Sequence, residues 1–450
     1  MAKVRNVYVC QQCAHIAQTW MGKCPGCGEW NTLVEQGTSS APRSAARTGA
    51  PASKARPLSS VAMGDGGEVR LRIGIGELDR VLGGGLVTGA LTLLGGDPGV
   101  GKSTLLLMAM QAFARKGIRV LYVSAEESAR QVRLRADRLG VSGDELYLLA
   151  ETGLDAVNAA IEDVKPRVLV LDSVQTIQEP ELDSVPGSIS QVRQVAAKAM
   201  QIAKGRDIAT FLVGHVTKDG NLAGPRALEH LVDTVLYFEG DGSTALRILR
   251  ATKNRFGSTG EIGMFEMREE GLAEVPDASA RLLKERALGA AGTVVTCTME
   301  GNRPLLVEVQ ALVGRPTQGN PARTAVGIDR GRLAMLLAVL GKTGLDLSDR
   351  DVFVSVAGGV RVQEPAADLA IAVALHSSAL DRPVEPDLLV FGEVGLVGEL
   401  RGVSSPLLRL REAGRHGFRR ARVPASVDGE GAGLKLYGAR TLSEVLMGVS

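Results

Sequence analysis

ALTLLGGDPGVGKSTLLLMAMQAFARKG, residues 90–117, reads as an apolar strand, a glycine-rich loop and an apolar helix. The loop, Gly96-Asp97-Pro98-Gly99-Val100-Gly101-Lys102-Ser103-Thr104, has the spacing of a P-loop in the strand–loop–helix setting that the motif requires. Its glycines let the backbone wrap phosphates, so that amide dipoles and a helix N-terminus face an anion. Lys102 supplies a point charge for β- and γ-phosphates, and the Ser103 hydroxyl is a Mg2+ ligand. The expected ligand is therefore ATP with Mg2+, bound by residues 96–104.

Strand and helix patterns alternate beyond this segment. RVLYVSAEES (119–128) is a strand ending in acids, and RVLVLDS (167–173) places Asp172 at a strand end, where it would complete the Mg2+ shell. TFLVGHVTK (210–218) ends in His215, and TVLYFEG, LRILRATKNRFG and IGMFEMREEG follow as further β-rich runs. Such alternation predicts a largely parallel sheet with its ligand crevice at the strand C-termini. Glu126 is the expected base orienting the attacking water, with Glu127 ranked second as an acid that could simply face solvent. His215 reads either as a core histidine or, from its strand-end position, as a γ-phosphate sensor. The loops after Asp172 (175–190) and after His215 (217–226, with Lys218 and Arg226) are basic or Gly/Pro-containing but lack aromatics for base stacking. Arg193 reads as a companion to them or as a solvated side chain.

Upstream, Cys10-x2-Cys13 and Cys24-x2-Cys27 are separated by ten residues. Two such knuckles place four thiolates around one Zn2+. A redox reading would need a βαβ context that is absent here. His15 is a bystander, and Cys297, alone among apolar residues, reads as a small buried hydrophobe. Residues 36–64 are rich in Ala, Ser, Pro and Gly and carry Arg43, Arg47, Lys54 and Arg56 with no acid, which fits a solvated tether or a phosphate-touching arm.

The 450 residues carry 52 basic and 50 acidic side chains, a net charge of +2, so any polyanion site must be a local patch. No run approaches the roughly 20 apolar residues of a membrane span, and the N-terminus reaches cysteine before an apolar signal region can form. A cytoplasmic protein without membrane association is expected, with cysteines as ligands or buried thiols. The expected fold class is α/β in three domains and a linker: a zinc ribbon at 1–35, a flexible basic linker at 36–64, a P-loop ATPase domain at 65–275 and a further α/β domain at 280–450.

The four-cysteine finger, GGDPGVGKST, VLVLDS and above all Lys253-Asn254-Arg255-Phe256-Gly257 together resemble the RadA (Sms) family of bacterial DNA repair proteins, over essentially the whole chain. The central part is similar to the RecA recombinase core. The resemblance implies a hexameric, DNA-stimulated ATPase that works beside a RecA-type recombinase on single-stranded and branched DNA, extending or migrating recombination intermediates. It maps the water-activating glutamate onto Glu126. It implies that Lys253 and Arg255 reach a neighbouring subunit's nucleotide as arginine fingers do. Without the family, KNRFG is only a two-charge turn closing a strand.

From about Ala280, GGVRVQEPAADLAIAVALHSS and FGEVGLVGELRGVSSPLLRLREAGRHGF resemble the Lon protease domain. Active Lon-type enzymes carry a Ser in the first segment and a Lys in the second. Here those positions hold Ala366 and Leu407, so the dyad is absent and peptidase activity is not expected. The domain then reads as a ring-forming platform, with Arg303, Arg315, Arg323, Arg330 and Arg332 as a candidate duplex surface or as solvated charges. An ATP-driven DNA motor is the leading reading. A RecA-like regulatory switch binding protein partners is the alternative, and an ATP-dependent protease is disfavoured by the missing dyad.

Overall fold

A computed structural model describes residues 5–10, 16–26, 28–38, 70–180, 182, 187–214, 228–240, 245–316, 320–428 and 433–448. Its contacts form two compact units. One holds the described residues up to Gly240 with Leu246–Thr259 and Phe265–Glu274, and the other holds Ala245, Gly260–Met264 and the described residues from Val275 onward.

The N-terminal strands β1 (Arg5–Cys10), β2 (Ile16–Ala17) and β3 (Leu33–Thr38) form an antiparallel sheet in the order β2-β1-β3. Strand β3 continues to Thr38, opposite Arg5, three residues past the boundary expected at 35. Its small core contains Cys10, Ala17, Cys24 and Leu33. The first three residues of the expected linker, 36–38, thus belong to β3, and its remainder, 39–64, lies outside the described residues.

Next come a short pair, β4 (Arg70–Leu71) with β5 (Leu86–Val87), and helix α1 (Gly76–Val81). The large sheet comprises β6 (Leu91–Gly96), β7 (Val120–Ser124), β8 (Leu146–Leu149), β9 (Val168–Asp172), β10 (Ala209–Val213), β11 (Thr234–Glu239), β12 (Leu246–Asn254), β13 (Ile262–Arg268) and β14 (Gly271–Glu274), in the order β14-β13-β12-β11-β6-β10-β9-β7-β8. The six strands from β11 to β8 run parallel, and β11 with β12 and β13 with β14 are antiparallel. Helices α2 (Lys102–Ala114), α3 (Ala129–Arg138), α4 (Leu154–Val164) and α5 (Ile189–Arg206) provide the crossovers.

The central strands are buried on both faces, so they read as continuous apolar runs whose residues alternate between two cores. Val120, Tyr122, Val168, Val170, Phe211 and Val213 join α2 residues such as Leu105, Leu106 and Phe113 on one side. Leu121, Val123, Leu169, Leu171 and Leu212 join α4 and α5 residues such as Val157, Ile161, Val192 and Val195 on the other. This two-period pattern sets which side chains face the helix that follows the glycine loop.

The C-terminal unit is built on a second sheet. Its strands are β15 (Thr293–Glu300), β16 (Arg303–Gly314), β17 (Arg323–Val326), β18 (Asp351–Val356), β19 (Leu388–Val390), β22 (Arg420–Pro424) and β23 (Lys435–Ala439), in the order β17-β18-β16-β15-β19-β22-β23, with β20 (Glu393–Val394) and β21 (Leu400–Arg401) forming a separate pair. The central ladders β15–β16–β18 are antiparallel, and the outer ones are parallel. Helix Asp368–Leu380 is buried over most of its length. Cys297 lies fully buried in a core with Val295, Leu306, Phe391 and Phe418, where burial pushes its thiol pKa up. It is a packing residue, as its apolar neighbours in sequence suggest.

Candidate active site

Strand β6 delivers the glycine loop to α2. Gly96 has φ +151° and approaches β11 so closely that a Cβ would lie 2.3 Å from the Phe238 carbonyl oxygen. Gly101, at φ +112°, caps α2 and would bring a Cβ within 2.7 Å of Met267. Both positions exclude side chains, so the loop can present its amides to a ligand. Lys102 is only 4% exposed, and its Nζ donates to the carbonyls of Gly96 (2.7 Å) and Asp97 (3.0 Å). Burial lowers its pKa, while Asp172, then Asp97 and Glu126, work in the opposite direction.

One strand, β10, separates β6 from β9, whose last residue is Asp172. Strand β7 pairs with β9 so that Ser124 lies opposite Asp172, which puts Glu126 beside the residue after Asp172. The Ser173 hydroxyl donates to Glu126 Oε1, and the Asp172–Ser173 peptide is cis. Glu127 is engaged elsewhere, in an ion pair with Arg135 of α3 at 2.6 Å. That helix starts at once because Ser128 and Gln131 form a reciprocal capping box. The two adjacent acids are thus divided, one toward the loop region and one onto a helix.

Tyr122 is a residue that sequence reading passed over. It is 2% exposed and lies on the α2 face of β7. Its hydroxyl donates to Asp172 Oδ2 at 2.5 Å. Burial, then the Asp172 charge, raises its pKa well above that of ordinary tyrosine. Its one sequence signal was a tyrosine inside a fully buried parallel strand, because a buried phenol needs a partner. Ser103, at the start of α2, and Asp172, at the end of β9, both lie near this phenol. A hydroxyl and a carboxylate are the hard oxygen donors that Mg2+ prefers, so the donor set fits that ion.

Lys253 and Arg255 lie away from this loop. Lys253 pairs with Val235 and, through it, stands level with Leu93 of β6, and its Nζ donates to the Glu229 carbonyl at 2.6 Å. The Arg255 amide donates to the Asp233 carbonyl, and the Asp233 amide donates to the Leu91 carbonyl. Arg255 is therefore level with the first residue of β6, about 16 Å behind Gly96 along the strand at roughly 3.3 Å per residue. The other members of the pentapeptide build the turn. Asn254 Oδ1 accepts from the Phe256 amide, Asn254 Nδ2 donates to the Val81 carbonyl, and the Phe256 carbonyl accepts from Arg70.

The base of the loop after Asp172 is anchored: the Gln191 side chain bonds both the amide and carbonyl of Glu179, whose carboxylate pairs with Lys198 at 2.5 Å. Glu181 and residues 183–186 of that loop fall outside the described residues. So do His215 and the whole of 217–226, including Lys218 and Arg226.

In the N-terminal ribbon, Cys10 and Cys24 are both buried, the Gly26 amide donates to Cys24 Sγ at 3.3 Å, and Cys10 Sγ lies 3.2 Å from Thr32 Oγ1. An amide aimed at a cysteine sulfur, on a turn continued by Gly28 at φ +79°, fits a zinc knuckle. Cys13, Cys27 and His15 lie outside the described residues.

In the C-terminal unit, Ala366 is buried in a 3-10 turn, Pro365–Ala367, and Leu407 sits on helix Pro406–Arg415. Three of the five arginines considered as a duplex surface spend their guanidinium groups internally. Arg303 binds the Val275 and Pro276 carbonyls, Arg323 binds those of Leu347 and Ser348, and Arg332 pairs with the buried Asp368. Arg315 and Arg330 remain exposed. Among the described residues, no helix is long and apolar enough to cross a membrane.

Three family models match the chain: an AAA domain over residues 72–221, a rubredoxin metal-binding domain over 8–35, and subunit ChlI of Mg-chelatase over 317–427. The DNA repair protein RadA of Bacillus subtilis is 48% identical over 452 residues, covering 99% of each chain. That of Listeria monocytogenes is 49% identical over 454 residues, again covering 99% of each. A KaiC-like protein from Pyrococcus horikoshii aligns with 46% of this chain and 99% of its own, at 22% identity and a TM-score of 0.39. The chain thus joins a zinc ribbon that takes Zn2+, a RecA-like P-loop ATPase core that takes ATP and Mg2+, and a ChlI/Lon-like C-terminal domain.

Proposed function

Because the chain belongs to the RadA family of DNA repair proteins, we propose that it is an ATP-driven motor acting on single-stranded and branched DNA in recombinational repair. The observation that carries this reading is the position of Arg255. It lies too far behind its own glycine loop to serve the nucleotide there, yet its side chain is half exposed, so its charge is available to the nucleotide of a neighbouring copy. A charge placed for a neighbour belongs to an assembly, and a hexameric ring in the cytoplasm beside a RecA-type recombinase is the arrangement proposed.

Bound ATP with Mg2+ supplies the transferable phosphoryl group and neutralises its charge. Residues 96–104 cradle the phosphates, Lys102 turns from the Gly96 and Asp97 carbonyls to the β- and γ-oxygens, and Ser103 and Asp172 hold the ion. Glu126, steadied by Ser173, accepts the proton of the attacking water. Lys253 and Arg255 act across the subunit interface where charge develops in the transition state. His215 senses the γ-phosphate, and the loops at 175–190 and 217–226 track the DNA backbone. The inactive Lon-like domain serves as the platform.

ATPase rates with and without single-stranded DNA, at several salt concentrations, test the reading. A motor shows stimulation that weakens as salt rises, because phosphate contacts release counterions. Turnover indifferent to DNA at low salt favours a regulatory switch.

A further inference from the structure

Tyr122 occupies a strand in which every residue is buried, VLYVS. Its ring fills the core against α2 as a phenylalanine would, so its hydroxyl is what distinguishes it. A phenol has one proton to give and two lone pairs to receive. The proton goes to Asp172 Oδ2 at 2.5 Å. Ser103, in the first turn of α2, also lies near this phenol.

Asp172, with Oδ2 held by the phenol, is restricted in how it turns its carboxylate. Such outer contacts set the orientation and basicity of metal ligands.

We propose that the Tyr122 hydroxyl is a positioning group that orients Asp172 as a ligand of the nucleotide's Mg2+. The proposal rests on the assignment of Asp172 and Ser103 as ligands, and the test separates the two claims.

The experiment measures the affinity of the full-length protein for a fluorescent ADP analogue as a function of Mg2+ concentration, for the parent, Tyr122→Phe, Ser103→Ala and Asp172→Asn. Tyr122→Phe keeps the ring, so melting in metal-free buffer and nucleotide affinity without Mg2+ stay near the parent's. Its half-effect Mg2+ concentration rises about 10- to 100-fold, the range for loss of an outer-sphere partner. An unchanged Mg2+ dependence in Tyr122→Phe, with the Ser103 and Asp172 variants shifted, overturns the role of Tyr122 and leaves the ligands standing. If none of the three shifts, the ligand assignment falls, and the proposal with it. A melting transition for Tyr122→Phe well below the parent's contradicts the claim that only the hydroxyl's orienting role is lost.

Discussion

Arg255 donates through Nη1 to Oδ1 of Asp233 at 2.9 Å, while Oδ2 of the same buried carboxylate accepts from the Leu91 amide. The Arg255 guanidinium is thus tethered to the start of the strand whose far end forms the phosphate loop. Within one chain the two ends of β6 cannot meet, so under the proposed trans role the tether sets where a neighbour's nucleotide would come.

Lys253→Ala and Arg255→Ala are expected to leave nucleotide binding nearly intact and to lower DNA-coupled hydrolysis on the order of a thousandfold, the lower range for trans arginines. Removing Arg255 also strips Asp233 of a partner, although Lys204 remains 3.7 Å away, so melting curves accompany the rates. Mixing Arg255→Ala with Lys102→Ala subunits should recover part of the activity, because some interfaces then join an intact finger to an intact loop. Absence of recovery in demonstrably mixed assemblies returns KNRFG to a structural turn.

Lys102→Ala should reduce ATP turnover by about a hundredfold or more, the scale of losing one preorganised group at a developing charge. The nearby charges acting on Lys102 are Asp172, Asp97 and Glu126, all acidic, so none of these described neighbours offers a second cation in its place. Near-normal turnover in this variant contradicts the phosphate-loop assignment.

Chelation should unfold the N-terminal ribbon and leave the ATPase core folded. Among the described residues the ribbon's buried core is Cys10, Ala17, Cys24 and Leu33, too small to hold three strands without a metal. Elemental analysis should find one zinc per chain, and exchange protection should vanish from residues 5–38 alone when it is removed. A metal-free preparation with an ordered ribbon contradicts this.

Arg409 is fully buried and forms a two-pronged pair with Glu364, both contacts at 2.7 Å, while its Nε donates to the Ser404 carbonyl. Arg409→Ala should destabilise the C-terminal unit by about 3–5 kcal/mol, the cost of leaving one partner of a buried pair behind. Removing both charges, as in Arg409→Met with Glu364→Gln, should recover a large part of that loss. Urea unfolding followed in the C-terminal unit measures both.

The P-loop, the acidic strand ends and the cysteine knuckles were legible because each is local: spacing and flanking pattern carry the chemistry. Strand β8 was not, since LYLL at a sheet edge, with Tyr147 and Leu148 partly exposed, lacks the continuous burial that marked β7 and β9. Arg409 sits in an amphipathic stretch, LLRLREAGR, where an arginine reads as solvated. Its partner Glu364 lies 45 positions away, and no local pattern announces the pair. Glu126 and Glu127 looked alike in sequence, and their separate fates depend on Ser173 and Arg135. The missing information was the pairing of distant polar groups, which burial enforces and periodicity does not record.

The most direct test of the motor is strand displacement on a branched DNA carrying a fluorescent label, followed in time with ATP and with a non-hydrolysable analogue. The account predicts ATP-dependent displacement that the analogue does not support and that Arg255→Ala abolishes. Normal DNA-stimulated hydrolysis with no displacement of any branch, or displacement that proceeds equally with the analogue, contradicts it.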